Sequence, residues 1–222
     1  MVVRIGGAAL MLWGVLACGA PASAADTAAA DFKSGQAAYT AGDYAQAARV
    51  WRSLADRGDA QAQYAMGLLA KRGLGVPRDA AVAADWWRKA AQQGQTAAQF
   101  NLGVLYENGD GVRKSYDEAF KWYRLAAERG DPDAQFNLGL LYAAGRGTRR
   151  DLAAAADWYR KAAEQGDAAA QYTLGLAYAA GMGVKEDRAA ATTWLKKAAA
   201  QGYQPARDAL AKLTPETRGS QP

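Results

Sequence analysis

Histidine is absent from the 222-residue chain, and cysteine occurs once, at Cys18. The first absence removes the side chain that titrates near neutrality and is the commonest metal ligand. The second excludes a disulfide framework and Cys-based zinc sites. No cofactor and no metal is expected. No block carries charge of one sign: 27 Lys and Arg are mixed with 22 Asp and Glu for a net +5. Nucleic acid is therefore not an expected partner. Long apolar runs are also missing. The stretch Ile5 to Ala17 is broken by Gly6, Gly7 and Gly14 and ends before Pro21. A membrane span needs roughly 20 apolar residues, so no integral span is expected in the mature chain. Proline is held to 6 positions, while Gly occupies 24 and half of all residues are apolar. Together with heavy use of alanine, this suits close-packed helices separated by tight turns better than sheets.

Residues 1–24 have the layout of a secretory signal. Arg4 supplies the positive start, Ile5 to Ala17 the apolar region, and Ala22-Ser23-Ala24 a small-x-small cleavage site. The expectation is a periplasmic or secreted protein cleaved near Ala24. The alternative is a lipid anchor at Cys18, because Val15-Leu16-Ala17-Cys18 loosely resembles a lipoprotein box with Leu one place too close to Cys.

Four consecutive blocks of equal length, 58–93, 94–129, 130–165 and 166–201, align without a gap, which marks a repeat architecture. Gly67, Gly103, Gly139 and Gly175 share one register, as do Gln63, Gln99, Gln135 and Gln171, and Trp86, Trp122, Trp158 and Trp194. Within a block, Ala134, Phe136, Leu138, Leu141 and Tyr142 have the spacing of an apolar helix face. This helix A starts at a capping Asp131 followed by Pro132 at the first helical position. It ends at Gly145, a residue that tolerates the left-handed C-terminal cap, with Gly147 extending the turn. Asp79, Ser115, Asp151 and Asp187 then cap a helix B that carries Trp158 and Tyr159 inward and stops at Gly166. Glycine inside helix A costs about 0.5–1 kcal/mol relative to alanine, so its recurrence predicts close approach of helix B, with the Trp lying over the gap. The Trp and Tyr positions read as core.

Both ends are irregular, as terminal units of an array must be. Residues 25–57 form a linker and a helix pair, with Gly35, Tyr39, Gly42, Tyr44 and Ala47 resembling a tetratricopeptide unit. Residues 202–222 form a partial capping helix and a tail from Thr214. About eleven helices follow from this reading.

The block Ala134-Gln135-Phe136-Asn137-Leu138-Gly139-Leu140-Leu141-Tyr142, Gly145-x-Gly147, Ala155, Trp158-Tyr159 and Lys161-Ala162-Ala163 ending at Gly166 resembles the Sel-one-like repeat family over residues 58–201. The resemblance implies an all-α fold, antiparallel helix pairs wound into a right-handed α-solenoid, and a role as adaptor or regulator through protein–protein contacts. Envelope members of that family include regulators of exopolysaccharide production and secretion scaffolds. Its cysteine-rich relatives carry a disulfide in each repeat, from which this chain departs.

The family places A helices on the concave surface, so recurring polar A-helix residues are the first candidates for a protein or peptide partner. These are Asn101 and Asn137, whose amides can both donate to and accept from an extended backbone, and Gln99 and Gln135. The alternative is that they bond to adjacent helices or water. A second candidate is a basic edge before helix B, formed by Arg78, Arg113, Lys114, Arg149, Arg150 and Lys185. It could attract an anionic polysaccharide or serve only for solubility. Ser-x-x-Lys, Gly-x-Ser-x-Gly, a Walker-type phosphate loop and His-Glu-x-x-His are all absent. The carboxylate pair Glu186-Asp187 falls at a helix start, where capping explains it. Some cysteine-rich relatives are linked to β-lactam hydrolysis, but no serine here has the required partner lysine. The expectation is a protein that is not an enzyme.

Overall fold

The computed structural model describes residues 24–213, and the side chains of residues 31–213. The signal segment, Cys18 with its possible lipid anchor, and the tail from Thr214 lie outside the described residues. Among the described residues there are eleven helices and no strand. A first pair, α1 (Ala24–Thr40) and α2 (Tyr44–Asp56), precedes four full repeats. The A helices are α3 (Ala60–Arg72), α5 (Thr96–Asn108), α7 (Pro132–Ala144) and α9 (Ala168–Ala180). The B helices are α4 (Ala80–Gln92), α6 (Tyr116–Glu128), α8 (Leu152–Glu164) and α10 (Arg188–Ala200), and α11 (Gln204–Leu213) starts a fifth unit. Helices pack against their neighbours in sequence, giving a right-handed solenoid of antiparallel pairs.

Local chemistry sets each helix. In α7, Asp131 accepts the backbone N–H of Ala134 at 2.8 Å, and Pro132 opens the helix at no cost in hydrogen bonds. Gly145 closes it in the left-handed conformation at φ 67°. Asp151 does for α8 what Asp131 does for α7, bonding the N–H of Ala154 at 2.9 Å.

The second loop glycine has a role in assembly. A Cβ at Gly147 would lie 2.1 Å from the carbonyl oxygen of Tyr116, at the start of the preceding B helix. Gly183 stands in the same way against Leu152. These loops lie directly on the previous repeat, so the loop glycine helps set how repeats stack.

The core is a series of clusters that bridge adjacent repeats. Ala83 and Trp87 of one repeat share a cluster with Ala98, Leu102 and Trp122 of the next. Each unit therefore buries its apolar face only by stacking, as expected for a quasi-one-dimensional array.

Candidate functional site

One face of the A helices carries an aliphatic residue in each repeat, Leu68, Val104, Leu140 and Leu176; Leu68 and Val104 pack in part against the core clusters. Leu140 is 43% exposed, high for a large apolar side chain. Half-buried rings stand four residues earlier, and Phe100 and Phe136 lean on Tyr123 and Tyr159 of the B helices. At the last turn of this face, Lys71 and Arg72 give way to Glu107, then to Ala143 and Ala179. At the C-terminal end, a cavity of about 420 Å³ opens between α9 and α11, lined by Tyr172, Leu176, Leu195, Ala209 and Leu213 among others.

Asn101 and Asn137 lie on this face, both half-buried, but in different states. Asn137 is hydrogen-bonded to the Tyr123 phenol, which itself donates to Glu107 Oε2 at 2.8 Å. Burial first, then the Glu107 charge, pushes the Tyr123 phenol far above the ordinary tyrosine range. Asn101 makes no side-chain hydrogen bond among the described residues. One asparagine is thus tied to the neighbouring helix and the other makes no such bond.

Gln99 and Gln135 do not lie on this face. They are 2% and 5% exposed, and their Nε2 groups donate to the carbonyls of Ala91 and Ala127 at the end of the preceding B helix. Gln63 and Gln171 make the same bond to Ala55 and Ala163. Burial requires an amide to be paired, and here the pairing staples one repeat to the next. A signal for this was present in the sequence: Gln63 and Gln93, Gln135 and Gln165, and Gln171 and Gln201 recur at one offset and are bonded to each other.

The aromatic expectation for helix B needs correction. The ring opposite Gly139 is Tyr159, not Trp158, and the residues opposite Gly67, Gly103 and Gly175 are Trp87, Tyr123 and Leu195. Trp86, Trp122, Trp158 and Trp194 instead pack against the preceding repeat. Trp158 and Trp194 are only half-buried. Lys89, Lys161 and Lys197 lie over the Trp86, Trp158 and Trp194 rings, at 4.4, 3.6 and 4.2 Å from their centroids. Successive residues on a helix point about 100° apart, so Tyr159 faces its own A helix and Trp158 faces backward.

Arg78, Arg113, Lys114, Arg149, Arg150 and Lys185 are all exposed and occupy equivalent loops of successive repeats. Arg150 is partly engaged, donating from Nε to the Ala143 carbonyl at 3.1 Å. Lys114 lies over the Tyr116 ring, which Arg146 of the next loop also approaches. Glu186 stands where the other repeats have Arg78, Lys114 and Arg150. The edge is cationic over three repeats and interrupted at the fourth.

Among the described residues no cluster of three or more Cys, Asp or Glu side chains could hold a metal, and no helix is long and apolar enough to cross a membrane.

The Sel1 repeat model matches four times, at residues 60–95, 96–131, 132–167 and 168–203. A solved protective antigen present in uropathogenic Escherichia coli strains, displaying an SLR fold, is similar at 39% identity and TM-score 0.80. The match covers 84% of this chain and 41% of that one, so this chain spans less than half the length of that relative. A Sel1 repeat protein from Oxalobacter formigenes is similar at 40% identity and TM-score 0.77, over 81% of this chain and 74% of that one. A Sel1 repeat protein from Klebsiella pneumoniae shares the fold at 21% identity and TM-score 0.52, over 85% of this chain and 94% of that one. No curated protein matches.

Proposed function

The chain belongs to the Sel1 repeat family, commonly a protein–protein interaction scaffold, and on that premise we propose that it is a non-catalytic adaptor of the bacterial envelope. The partner is a protein segment held along the exposed face of the A helices. The observation that carries this reading is that face itself. It offers the exposed Leu140, the half-buried Leu68, Val104 and Leu176 in the same register, an unpaired amide at Asn101 and an apolar cavity at its end. Apolar anchors with a few free donors and acceptors suit an extended or amphipathic segment. The envelope location rests on the signal-like residues 1–24.

The test is affinity capture from an envelope extract, comparing the wild-type chain with Leu140→Glu and with the Asn101→Arg, Asn137→Arg double variant. A protein retained by wild type, rebinding in purified form and lost with both variants while their melting temperatures hold, is the expected result. Equal recovery by all three baits removes the groove. The second reading, an anionic glycan on the basic edge, draws on the exposed Arg113, Arg149 and Lys185. It is weakened by Glu186 and by the bond of Arg150 to Ala143. Binding that falls steeply with salt and with Arg149→Gln would favour it.

A further inference from the structure

One repeat lacks the staple that the other three complete. Gln63, Gln135 and Gln171 donate to the preceding helix and accept from Gln93, Gln165 and Gln201 at 2.8, 2.7 and 2.9 Å. In the second repeat, the register of those donors is held by Arg129. Gln99 keeps its bond to Ala91, which fixes the orientation of its amide, and its Oε1 is buried with no partner. A buried carbonyl left unpaired is costly.

The same place is a cavity of about 460 Å³, within the size range of small-ligand sites. Its walls include Gln99, Arg129, Lys121, Trp122, Leu125 and Gly94. The Arg129 guanidinium lies beside Gly94, where a Cβ would come within 2.9 Å of it. Arg129 is exposed, and its side chain has no ion pair or hydrogen bond among the described residues. Lys121 lies 5.3 Å from the Trp122 centroid and 3.8 Å from Glu118. The corresponding cations are missing elsewhere: glutamine replaces Arg129 in the other repeats, and Asp85, Asp157 and Thr193 replace Lys121.

We propose that this cavity binds a small carboxylate bearing an O–H or N–H donor on the adjacent carbon, an α-hydroxy or α-acylamino acid. The carboxylate sits between Arg129 and Lys121, and Arg is suited to bidentate contact with it. The adjacent donor supplies the hydrogen bond that Gln99 Oε1 lacks. Neither a simple anion nor a neutral donor satisfies both groups. The oxygen has almost no exposed surface, so the side chains around it must shift to admit the ligand's donor. The site lies at the turns between helices B and A, at the opposite end of the helices from the basic edge, and does not depend on the groove reading.

The test is calorimetric titration of the full chain with glycolate, N-acetylglycine and acetate, repeated with Arg129→Gln and Lys121→Met. Glycolate or N-acetylglycine should saturate a single site, with acetate weaker by about tenfold or more. A preference for glycolate identifies a free hydroxy acid as the source, and a preference for N-acetylglycine identifies a chain terminus. Arg129→Gln should abolish binding while raising the melting temperature by about 2–4 °C, since it restores the missing donor. Lys121→Met should weaken binding with little change in melting. Absence of saturable binding, equal binding of acetate, or full retention of binding by Arg129→Gln would overturn the proposal.

Discussion

A Cβ placed on Gly139 would lie 2.5 Å from Cε1 of Tyr159. The side chain missing from α7 is thus replaced in the packing by the phenol ring of α8. The carbonyl of Ala155, one turn earlier on α8, lies 3.2 Å from the same point, so the backbone of α8 is close as well.

That geometry sets the first prediction. Gly139→Ala gains about 1 kcal/mol of helix propensity but meets an overpacking cost of about 1–3 kcal/mol. The net effect should be a lower melting temperature, and Gly139→Leu should lose more. An unchanged melting temperature for the leucine variant would refute the close approach of Tyr159.

Gln135 both donates to Ala127 and accepts from Gln165. Gln135→Leu should cost about 1–3 kcal/mol by leaving buried partners unpaired. Gln99→Leu breaks one bond and also removes an unpaired oxygen, so it should cost less. Urea denaturation of the two variants side by side reads this ordering, and equal losses would contradict it.

Gly147 and Gly166 both have positive φ, 66° and 98°. Only Gly147 faces backbone, while a Cβ at Gly166 meets nothing within 4 Å. Gly166→Ala should cost about 1–2 kcal/mol from left-handed strain alone, and Gly147→Ala distinctly more because two repeats must separate. Comparable melting temperatures for the two variants would remove the stacking role of the loop.

Burial pushes the Tyr159 phenol up to about 12. Its folded-state value lies above the unfolded value of about 10. The stabilisation it lends is therefore full below pH 10 and is lost as pH rises through about 12. Tyr159→Phe should lessen the fall in melting temperature across that window. The ultraviolet titration of wild type should contain a tyrosine ionising near pH 12, ahead of the still later Tyr123, and the variant should lack that step. An unaltered titration curve in the variant would show that Tyr159 ionises elsewhere.

The sequence by itself determined the period, the helix pairs and their ends. The reason is local: Asp131, Pro132 and Gly145 act within one turn of the residues they cap, and glycine's access to positive φ is a property of its own backbone. Tertiary structure decided the direction of each recurring side chain. Trp158 and Tyr159 are adjacent aromatics, and nothing in the period says which meets Gly139 and which meets the previous repeat. Gln99 and Gln135 share A helices with Asn101 and Asn137, but a rotation of about 200° carries the glutamines into the seam between repeats and leaves the asparagines on the open face. The unpaired oxygen of Gln99 is likewise invisible in the sequence. It arises because Arg129, at the end of α6 in the same repeat, stands where the other repeats have a glutamine, and only the packing of α6 on α5 brings the two to one place.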